Sequence, residues 1–246
     1  MSTRAQRRGR TVEAKKNSMM PFYIIIGVVA VVGVVVVGLL LRATGGQTAE
    51  PVAMTSLDQF ESKGDPDAPV TVVKYSDFGC GGCAAYALGL GPQIEQQYIE
   101  TGQVHFVYHE YPVTGPNGVL AAEAGRCAAD QESFWPMHDL LFQNQQQWSR
   151  LPEPDGQFTL YAQQLGLNTD QFQQCLEEDQ HLPEILGAEQ AARSAEIPAT
   201  PTFVINGQQY NSDGLVAAID AALAAADTEG ESDTADGSGE TEAPSE

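Results

Sequence analysis

Basic residues are scarce over most of this 246-residue sequence. The chain holds 12 Lys and Arg against 33 Asp and Glu, and five of the basic residues but 32 of the acidic ones lie beyond residue 42. Nucleic acids and anionic lipid headgroups bind proteins through clustered Lys and Arg, so a surface this negative repels both. The composition therefore excludes a nucleic-acid-binding function, and we attribute the acidity to solubility.

Histidine and methionine are also few, and neither forms a tract. The four histidines lie apart, at positions 105, 109, 138 and 181, and only five methionines occur in the chain. A metal-handling protein needs several suitable ligands at short spacing. We therefore expect no metal site, and we interpret each histidine as a surface residue or a hydrogen-bonded core residue.

Only one uncharged apolar run is long enough to cross a bilayer, the 20 residues from Phe22 to Leu41. At about 1.5 Å per residue it spans roughly 30 Å, the thickness of one hydrocarbon core. Six basic residues and one acid precede it, which by the positive-inside rule keeps that side cytoplasmic. A cleaved signal peptide is the alternative, although its apolar region is usually about 7–15 residues.

We therefore expect residues 1–20 to be a basic cytoplasmic N-terminus, 21–41 a single-pass anchor in the cell membrane, and 42–55 a linker. Under either interpretation the following domain is extracytoplasmic, where disulfides persist. Residues 56–226 are long enough for one domain with a sizeable core. Residues 227–246 contain no large apolar side chain, so they are predicted to be a disordered acidic tail. The apolar run has no glycine followed four residues later by another small residue, so we expect a monomer.

Hydrophobic patterning within the domain alternates between strand and helix signatures. Runs rich in β-branched and aromatic residues predict strands at Val70–Tyr75, Val104–Tyr108, Thr202–Ile205 and Gln208–Tyr210. Helices are predicted over residues 84–98, over a proline-broken stretch from about 118 to 195, and over residues 213–225. A βαβ start, a helical insertion and a ββα ending make an α/β domain.

Cys80-Gly81-Gly82-Cys83 is the most informative motif in the chain. It opens a predicted helix, whose free N–H groups and partial positive charge stabilise a thiolate on the first cysteine. Cys80 is therefore the expected nucleophile, Cys83 the resolving thiol, and Gly81 and Gly82 the active-site loop. A zinc half-site is one alternative, but zinc needs two further ligands at short spacing. A purely structural disulfide is another, but so small a ring stabilises a fold little.

The other two cysteines, Cys127 and Cys175, are isolated in the sequence. Each lies on an apolar face of a predicted helix, Cys127 with Leu120 and Ala124, and Cys175 with Phe172. Both faces should pack inward. In an oxidising compartment a structural disulfide is the leading interpretation, and two buried free thiols are the alternative.

The residues around the CxxC motif carry a resemblance to a known family. The segment from Val70 to Cys83 resembles the active-site strand and loop of the thioredoxin superfamily. The segment from Ala199 to Gly207, which contains Thr200-Pro201-Thr202-Phe203, and the helical stretch narrow the resemblance to the DsbA-like branch. More specifically, the chain looks like the membrane-anchored DsbA-like thiol:disulfide oxidoreductases. The resemblance covers residues 55 to 225.

This resemblance implies a thioredoxin-like fold with a helical insertion at about residues 115–195, preceded by one N-terminal transmembrane helix. It also implies that Pro201, preceded by Thr200, is a cis-proline that faces Cys80 and orients a substrate strand. By analogy it supports a Cys127–Cys175 disulfide. The redox-active Cys80–Cys83 disulfide then serves as the redox group, with no separate cofactor.

Two departures from the family pattern bear on the strength of the redox couple. DsbA-like proteins commonly have Pro followed by His, Tyr or Ser between the cysteines, whereas Gly81 and Gly82 stand there in this chain. They also often have an acid six residues before the first cysteine, where it helps to move the proton of the second thiol. Lys74 occupies that position. Without a polar side chain beside Cys80, we expect a milder oxidant than the members that have histidine there.

The function implied by the resemblance is that of a membrane-tethered extracytoplasmic oxidoreductase in protein folding. We expect it to donate disulfides to exported proteins with free thiols, and to be reoxidised by a membrane protein of the DsbB or VKOR type. Two alternatives stay open from the sequence. The same couple could work as a reductase or isomerase, or the domain could be a non-catalytic metal- or peptide-binding chaperone.

Overall fold

A five-stranded sheet organises the fold in this computed structural model, which describes residues 57–235. The central strands β2 and β3 are parallel, and the other neighbouring strands are antiparallel, in the order β1-β3-β2-β4-β5. The strands are β1 (Glu61–Lys63), β2 (Val70–Ser76), β3 (Val104–Glu110), β4 (Thr202–Ile205) and β5 (Gln208–Tyr210). The central pair is mostly apolar on both faces, with Lys74 as a buried exception, because helices cover both sides of it.

The crossover from β2 to β3 is helical from Gly81 to Ile99. It consists of α1 (Gly81–Ala85), a π-helical turn, α2 (Gly91–Ile94) and a second π-helical turn. The wider turns flank Pro92, which lacks the N–H that a regular α-helical turn would use. The crossover helix begins directly after Cys80, three residues before the predicted start.

Six helices lie between β3 and β4 and form the helical insertion predicted at about residues 115–195. They are α3 (Pro116–Ala129), α4 (Phe134–Gln143), α5 (Gln145–Trp148), α6 (Asp155–Gln164), α7 (Thr169–Glu177) and α8 (Leu182–Ser194). Their shared core is rich in aromatic side chains such as Phe142 and Phe158. The same core includes Phe78 and Cys83, so the insertion packs directly against the predicted active-site loop.

Cys127 of α3 and Cys175 of α7 form a disulfide, with their Cα atoms 5.8 Å apart. Both residues are buried in the core of the helical insertion. The bond closes a chain segment with a sequence separation of 48. In an oxidised protein this link limits how far the unfolded insertion can expand, which raises the free energy of unfolding.

We expect the Cys127→Ala/Cys175→Ala variant to lose about 2–4 kcal/mol of unfolding free energy, since the unfolded chain regains the entropy that the bond removes. Denaturant unfolding measured by circular dichroism provides the test. Wild-type protein with a reductant should lose a similar amount. An unchanged midpoint in both samples would show that the bond does not stabilise the domain.

The last helix, α9 (Leu215–Ala235), is longer than predicted. It covers one face of the sheet through Leu215 and Ile219, and its backbone continues into residues 227–235, which were predicted to be disordered. That part of the tail prediction is wrong, because an established helix propagates at little cost through a segment without proline. Residues 236–246 lie outside the described chain, as do the predicted cytoplasmic N-terminus, anchor and linker. Within residues 57–235, no helix has the length and apolarity needed to span a bilayer.

Candidate active site

The predicted nucleophile stands where β2 ends and the crossover helix begins. Cys80 is the N-cap residue of α1, and its Sγ accepts a hydrogen bond from the backbone N–H of Cys83 at 3.4 Å. Both cysteines are free thiols in this structure. Cys83 is fully buried, whereas Cys80 is partly exposed. A partner can therefore reach the first sulfur but not the second.

The second part of the site comes from the far end of the domain. The Thr200–Pro201 peptide bond is cis, and the Sγ of Cys80 lies 3.1 Å from the carbonyl oxygen of Thr200, to which the thiol form donates. Pairing of β4 with β2 brings these segments together, because Thr202 lies opposite Tyr75. The structure thus joins Cys80, Cys83, the two glycines, Thr200 and Pro201, while Cys127 and Cys175 lie apart in the insertion.

The surroundings of Cys80 favour its thiolate. A hydrogen bond from the Cys83 thiol makes the largest contribution to lowering the pKa of Cys80. Together with the Thr200 side chain and two backbone N–H groups, it lowers this pKa to about 5, although partial burial opposes the shift. Burial raises the pKa of Cys83, and its hydrogen bond to Cys80 raises it further. At neutral pH Cys80 is therefore a thiolate and Cys83 a protonated thiol. Nucleophilic attack uses the Cys80 thiolate, whereas Cys83 must lose its proton before it can resolve an adduct.

Comparison with known families agrees with this geometry. A family model described as Thioredoxin matches residues 60–224, a segment that includes the central strands, the CxxC loop and Pro201. The chain belongs to the thioredoxin superfamily.

Relatives of this thioredoxin-superfamily chain identify its branch as DsbA-like. The chain is 27% identical over 160 residues to the probable disulfide bond formation protein D of Bacillus cereus, covering 62% of this chain and 73% of that protein. The structure of oxidised BdbD from Bacillus subtilis matches with a TM-score of 0.63 at 24% identity, covering 68% of this chain and 95% of that one. That likeness shows the fold.

A third relative is much longer than this chain, and only part of it matches the DsbA-like domain. The chain is 34% identical over 175 residues to the Na(+)/H(+) antiporter NhaA 3 of Salinispora tropica. The match covers 69% of this chain and 26% of the antiporter, so the chain spans about a quarter of that relative's length.

The two glycines of the DsbA-like site differ in their surroundings. A Cβ atom at Gly82 would lie 3.2 Å from the Cδ of Pro201, whereas a Cβ at Gly81 would meet nothing within 4 Å. The close approach of Gly82 explains why a side chain is disfavoured there in this chain. Gly81 faces open space and tolerates one.

We expect Gly82→Ala to lower kcat/KM for disulfide transfer by roughly tenfold, because the added methyl displaces Pro201 from Cys80 by a few tenths of an ångström. Gly81→Ala is the matched control and should stay within about twofold of wild type. Steady-state oxidation of a fluorescent dithiol peptide measures both. Equal effects of the two substitutions would refute the proposed steric role of Gly82.

Asp77 fixes the loop from which Cys80 projects, a role that the sequence did not reveal. One of its oxygens accepts a hydrogen bond from the N–H of Gly79 at 2.7 Å. The other accepts from the N–H groups of Val113 and Thr114 at 2.8 and 2.7 Å. The side chain is buried, so these three bonds tie the CxxC loop to the loop after β3. The only sequence signal for this role was an acidic residue between the buried strand and the CxxC motif.

Gln145 is a second positioning residue, and it comes from the helical insertion. Its side-chain N–H₂ donates to the carbonyl oxygens of Phe78 and Cys80 at 2.6 and 2.9 Å. It is buried, and it lies 65 residues beyond Cys80 in the chain. Nothing in the local sequence marks this glutamine, because its role depends on how the insertion packs.

Two groups of three possible metal ligands occur among the described residues, both at the Cys127–Cys175 disulfide. One contains Glu123 with Cys127 and Cys175, and the other contains Cys175 with Asp130 and His181. Each group includes a sulfur that is bonded to another sulfur, and a disulfide cannot supply the thiolate that a metal requires. Neither group is therefore suited to hold a metal in the oxidised insertion.

Proposed function

We propose that the protein is an extracytoplasmic thiol:disulfide oxidoreductase that donates disulfides to exported proteins. The observation that carries the proposal is the asymmetry of the couple: a partly exposed, low-pKa sulfur at Cys80 beside Pro201, backed by the buried thiol of Cys83. Exchange requires one attackable sulfur and one protected resolving sulfur. The names of the DsbA-like relatives agree with this chemistry.

The reaction proceeds through a mixed disulfide. A substrate thiolate attacks Sγ of Cys80 in the oxidised couple, the bond to Cys83 breaks, and Cys83 leaves with the electron pair and takes up a proton. A second substrate thiolate then attacks the substrate sulfur bonded to Cys80. Cys80 leaves as a thiolate, and its low pKa makes it a good leaving group. The substrate gains one disulfide, and the couple gains two electrons.

The pKa of Cys80 also bears on the strength of the oxidant. A stable thiolate favours the reduced couple, so a lower pKa of the first cysteine makes its disulfide more oxidising. In this chain backbone N–H groups, Thr200 and Cys83 provide the stabilisation, since neither glycine contributes a side chain. We propose an oxidant that is intermediate within the DsbA-like branch.

The cellular arrangement is part of the same proposal. Residues 22–41 would tether the domain to the cell membrane on its extracytoplasmic side. A membrane reoxidase of the DsbB or VKOR type would then accept the two electrons from Cys80 and Cys83. The Cys127–Cys175 disulfide is compatible with an oxidising compartment. We propose that the protein acts as a monomer.

Alkylation trapping of the protein in intact cells tests the direction of electron flow. If the protein is a disulfide donor, Cys80 and Cys83 are mostly oxidised at steady state and escape labelling until a reductant is added. A Cys80→Ser variant serves as the reference, because its Cys83 thiol is always free. A mostly reduced couple in the wild type would instead indicate a reductase or isomerase.

A further inference from the structure

Lys74 is a fully buried lysine on the central strand β2. Among residues 57–235, its Nζ has no hydrogen-bond partner. An isolated ammonium group away from water is costly, and in proteins such a group tends to lose its proton. Stability alone therefore does not explain why a lysine occupies this position.

Three aromatic rings surround the nitrogen. Its Nζ lies 4.8 Å from the ring centre of Tyr86, 5.1 Å from that of Phe142 and 5.2 Å from that of Tyr108. The ring faces attract a cation without fixing it as a carboxylate would. Such a site can hold the ammonium or the neutral amine with only a small difference in free energy.

The redox couple is the main anionic influence on this nitrogen. Burial lowers the pKa of Lys74 to about 8, while the nearby sulfurs of Cys83 and Cys80 and, more weakly, Asp139 raise it. Cys83 shares its packing environment with Tyr108 and Phe142, which places the second sulfur in the same core cluster as two of the rings around the amine.

We infer that Lys74 takes up a proton when the Cys80–Cys83 disulfide is reduced and releases it when the disulfide forms again, so that this side chain couples proton transfer to the redox state. The inference rests on the proposed function. In the dithiol state the Cys80 thiolate provides a counter-charge for the ammonium. In the disulfide state that charge is gone, and among the anionic groups that raise the pKa of Lys74 only Asp139, the weaker one, remains.

This assignment balances the reaction without solvent protons. A substrate dithiol that becomes a disulfide loses two electrons and two protons. Cys83 takes one proton, and Cys80 stays a thiolate above its pKa of about 5. Lys74 takes the second proton. The ammonium and the Cys80 thiolate that the reaction has created then attract each other.

A cavity of about 300 Å³ connects Lys74 with polar groups closer to solvent. Lys63, Glu95, His138 and Asp139 line it together with Lys74. The Nδ1 atom of His138 lies 2.9 Å from the carboxylate of Asp139, whose side chain is 58% exposed. The amine can therefore exchange its proton with solvent through this opening between turnovers.

The other titratable groups that face Lys74 keep their charge state near neutral pH. Burial lowers the pKa of His138 to about 4, so the ring is neutral. The pKa of Asp139 is lowered although burial alone would raise it, because His138 and nearby lysines stabilise its carboxylate. Burial raises the pKa values of Tyr86 and Tyr108, so both stay protonated. Lys74 is thus the group around the couple that can titrate between pH 6 and 8.

Equilibration with glutathione at several pH values tests the inference. Oxidation of two glutathione molecules releases two protons, so a couple that takes up one proton gives an equilibrium constant that rises tenfold per pH unit. A couple that takes up two gives a constant that does not change with pH. We expect the wild-type constant to flatten as the pH falls below 8, where Lys74 takes up the second proton.

Lys74→Met keeps the volume and removes the titrating group, so its constant should rise tenfold per pH unit from pH 6 to 8. Lys63→Met removes a lysine from the same cavity and should keep the wild-type profile. A wild-type constant that rises tenfold per unit throughout would overturn the inference, even if Lys74→Met does not fold. Equal profiles for the two variants would overturn it as well. A wild-type couple that never exchanges with glutathione would contradict the proposed function instead.

Discussion

Cys80→Ser is expected to reduce disulfide transfer to the uncatalysed level, whereas Cys83→Ser is expected to arrest the reaction as a mixed disulfide. Serine at position 80 cannot form the thiolate that both attack and departure require. With serine at position 83, the partly exposed Cys80 thiolate can still attack a disulfide of the substrate and release one substrate thiolate, but the protein has no second sulfur at the site to resolve the adduct. The two substitutions therefore separate the roles of sulfurs that lie one helical turn apart.

Incubation of each reduced variant with a denatured substrate that contains a disulfide, which runs the exchange in reverse, followed by non-reducing electrophoresis, distinguishes these outcomes. The Cys83→Ser variant should give a band of the combined mass that disappears on reduction, and the Cys80→Ser variant should not. Cys127→Ala/Cys175→Ala is the control and should transfer disulfides as the wild type does, since its bond lies in the insertion. An adduct that forms through Cys83 when Cys80 is absent would contradict the assignment.

The second large effect is expected on stability, at the buried pair of Arg126 and Glu110. The guanidinium donates two hydrogen bonds to the carboxylate, Nε to Oε1 at 2.7 Å and another nitrogen to Oε2 at 2.8 Å. A third N–H donates to the carbonyl oxygen of Gln59 at 2.9 Å. The pair joins α3 of the insertion to the end of β3, with side-chain exposures of only 10% and 1%.

Arg126→Met should lower the free energy of unfolding by about 3–5 kcal/mol, because the Glu110 carboxylate is left buried without its partner. The double variant Glu110→Gln/Arg126→Met should recover part of that loss, since it removes both charges. Thermal and denaturant unfolding measure the three proteins. Arg193→Met, which breaks the exposed pair with Glu189, is the control and should leave stability unchanged. Single and double variants of equal stability would show that the pair is not coupled.

The parts of the site that could be predicted are those formed by residues contiguous in the sequence. The CxxC motif directly after a buried strand predicts both sulfurs and the helix N-terminus that stabilises the first. The Thr200-Pro201 segment was assigned by family resemblance, and the structure has the cis peptide bond and places it beside Cys80. The helical insertion could be predicted because prolines divide it into apolar helical segments.

The parts that could not be predicted depend on distant packing or on short, polar segments. β1 is three residues long and polar, so it has no alternating pattern; its register with β3 defines it. Gln145 acts on a loop 65 residues away. Lys74 was recognised as a departure from the family, but its aromatic surroundings come from three separate elements. The continuation of α9 beyond residue 226 follows from helix propagation and not from an apolar face.

Stoichiometric transfer from the oxidised protein to a reduced, unfolded substrate tests the central claim most directly. Mass spectrometry after alkylation counts the free thiols in both proteins as the reaction proceeds. We predict that each substrate disulfide formed is matched by one Cys80–Cys83 disulfide lost, while Cys127–Cys175 stays intact. A substrate that stays reduced beside an oxidised couple, or one that gains its disulfide at the expense of Cys127–Cys175, would contradict the assignment.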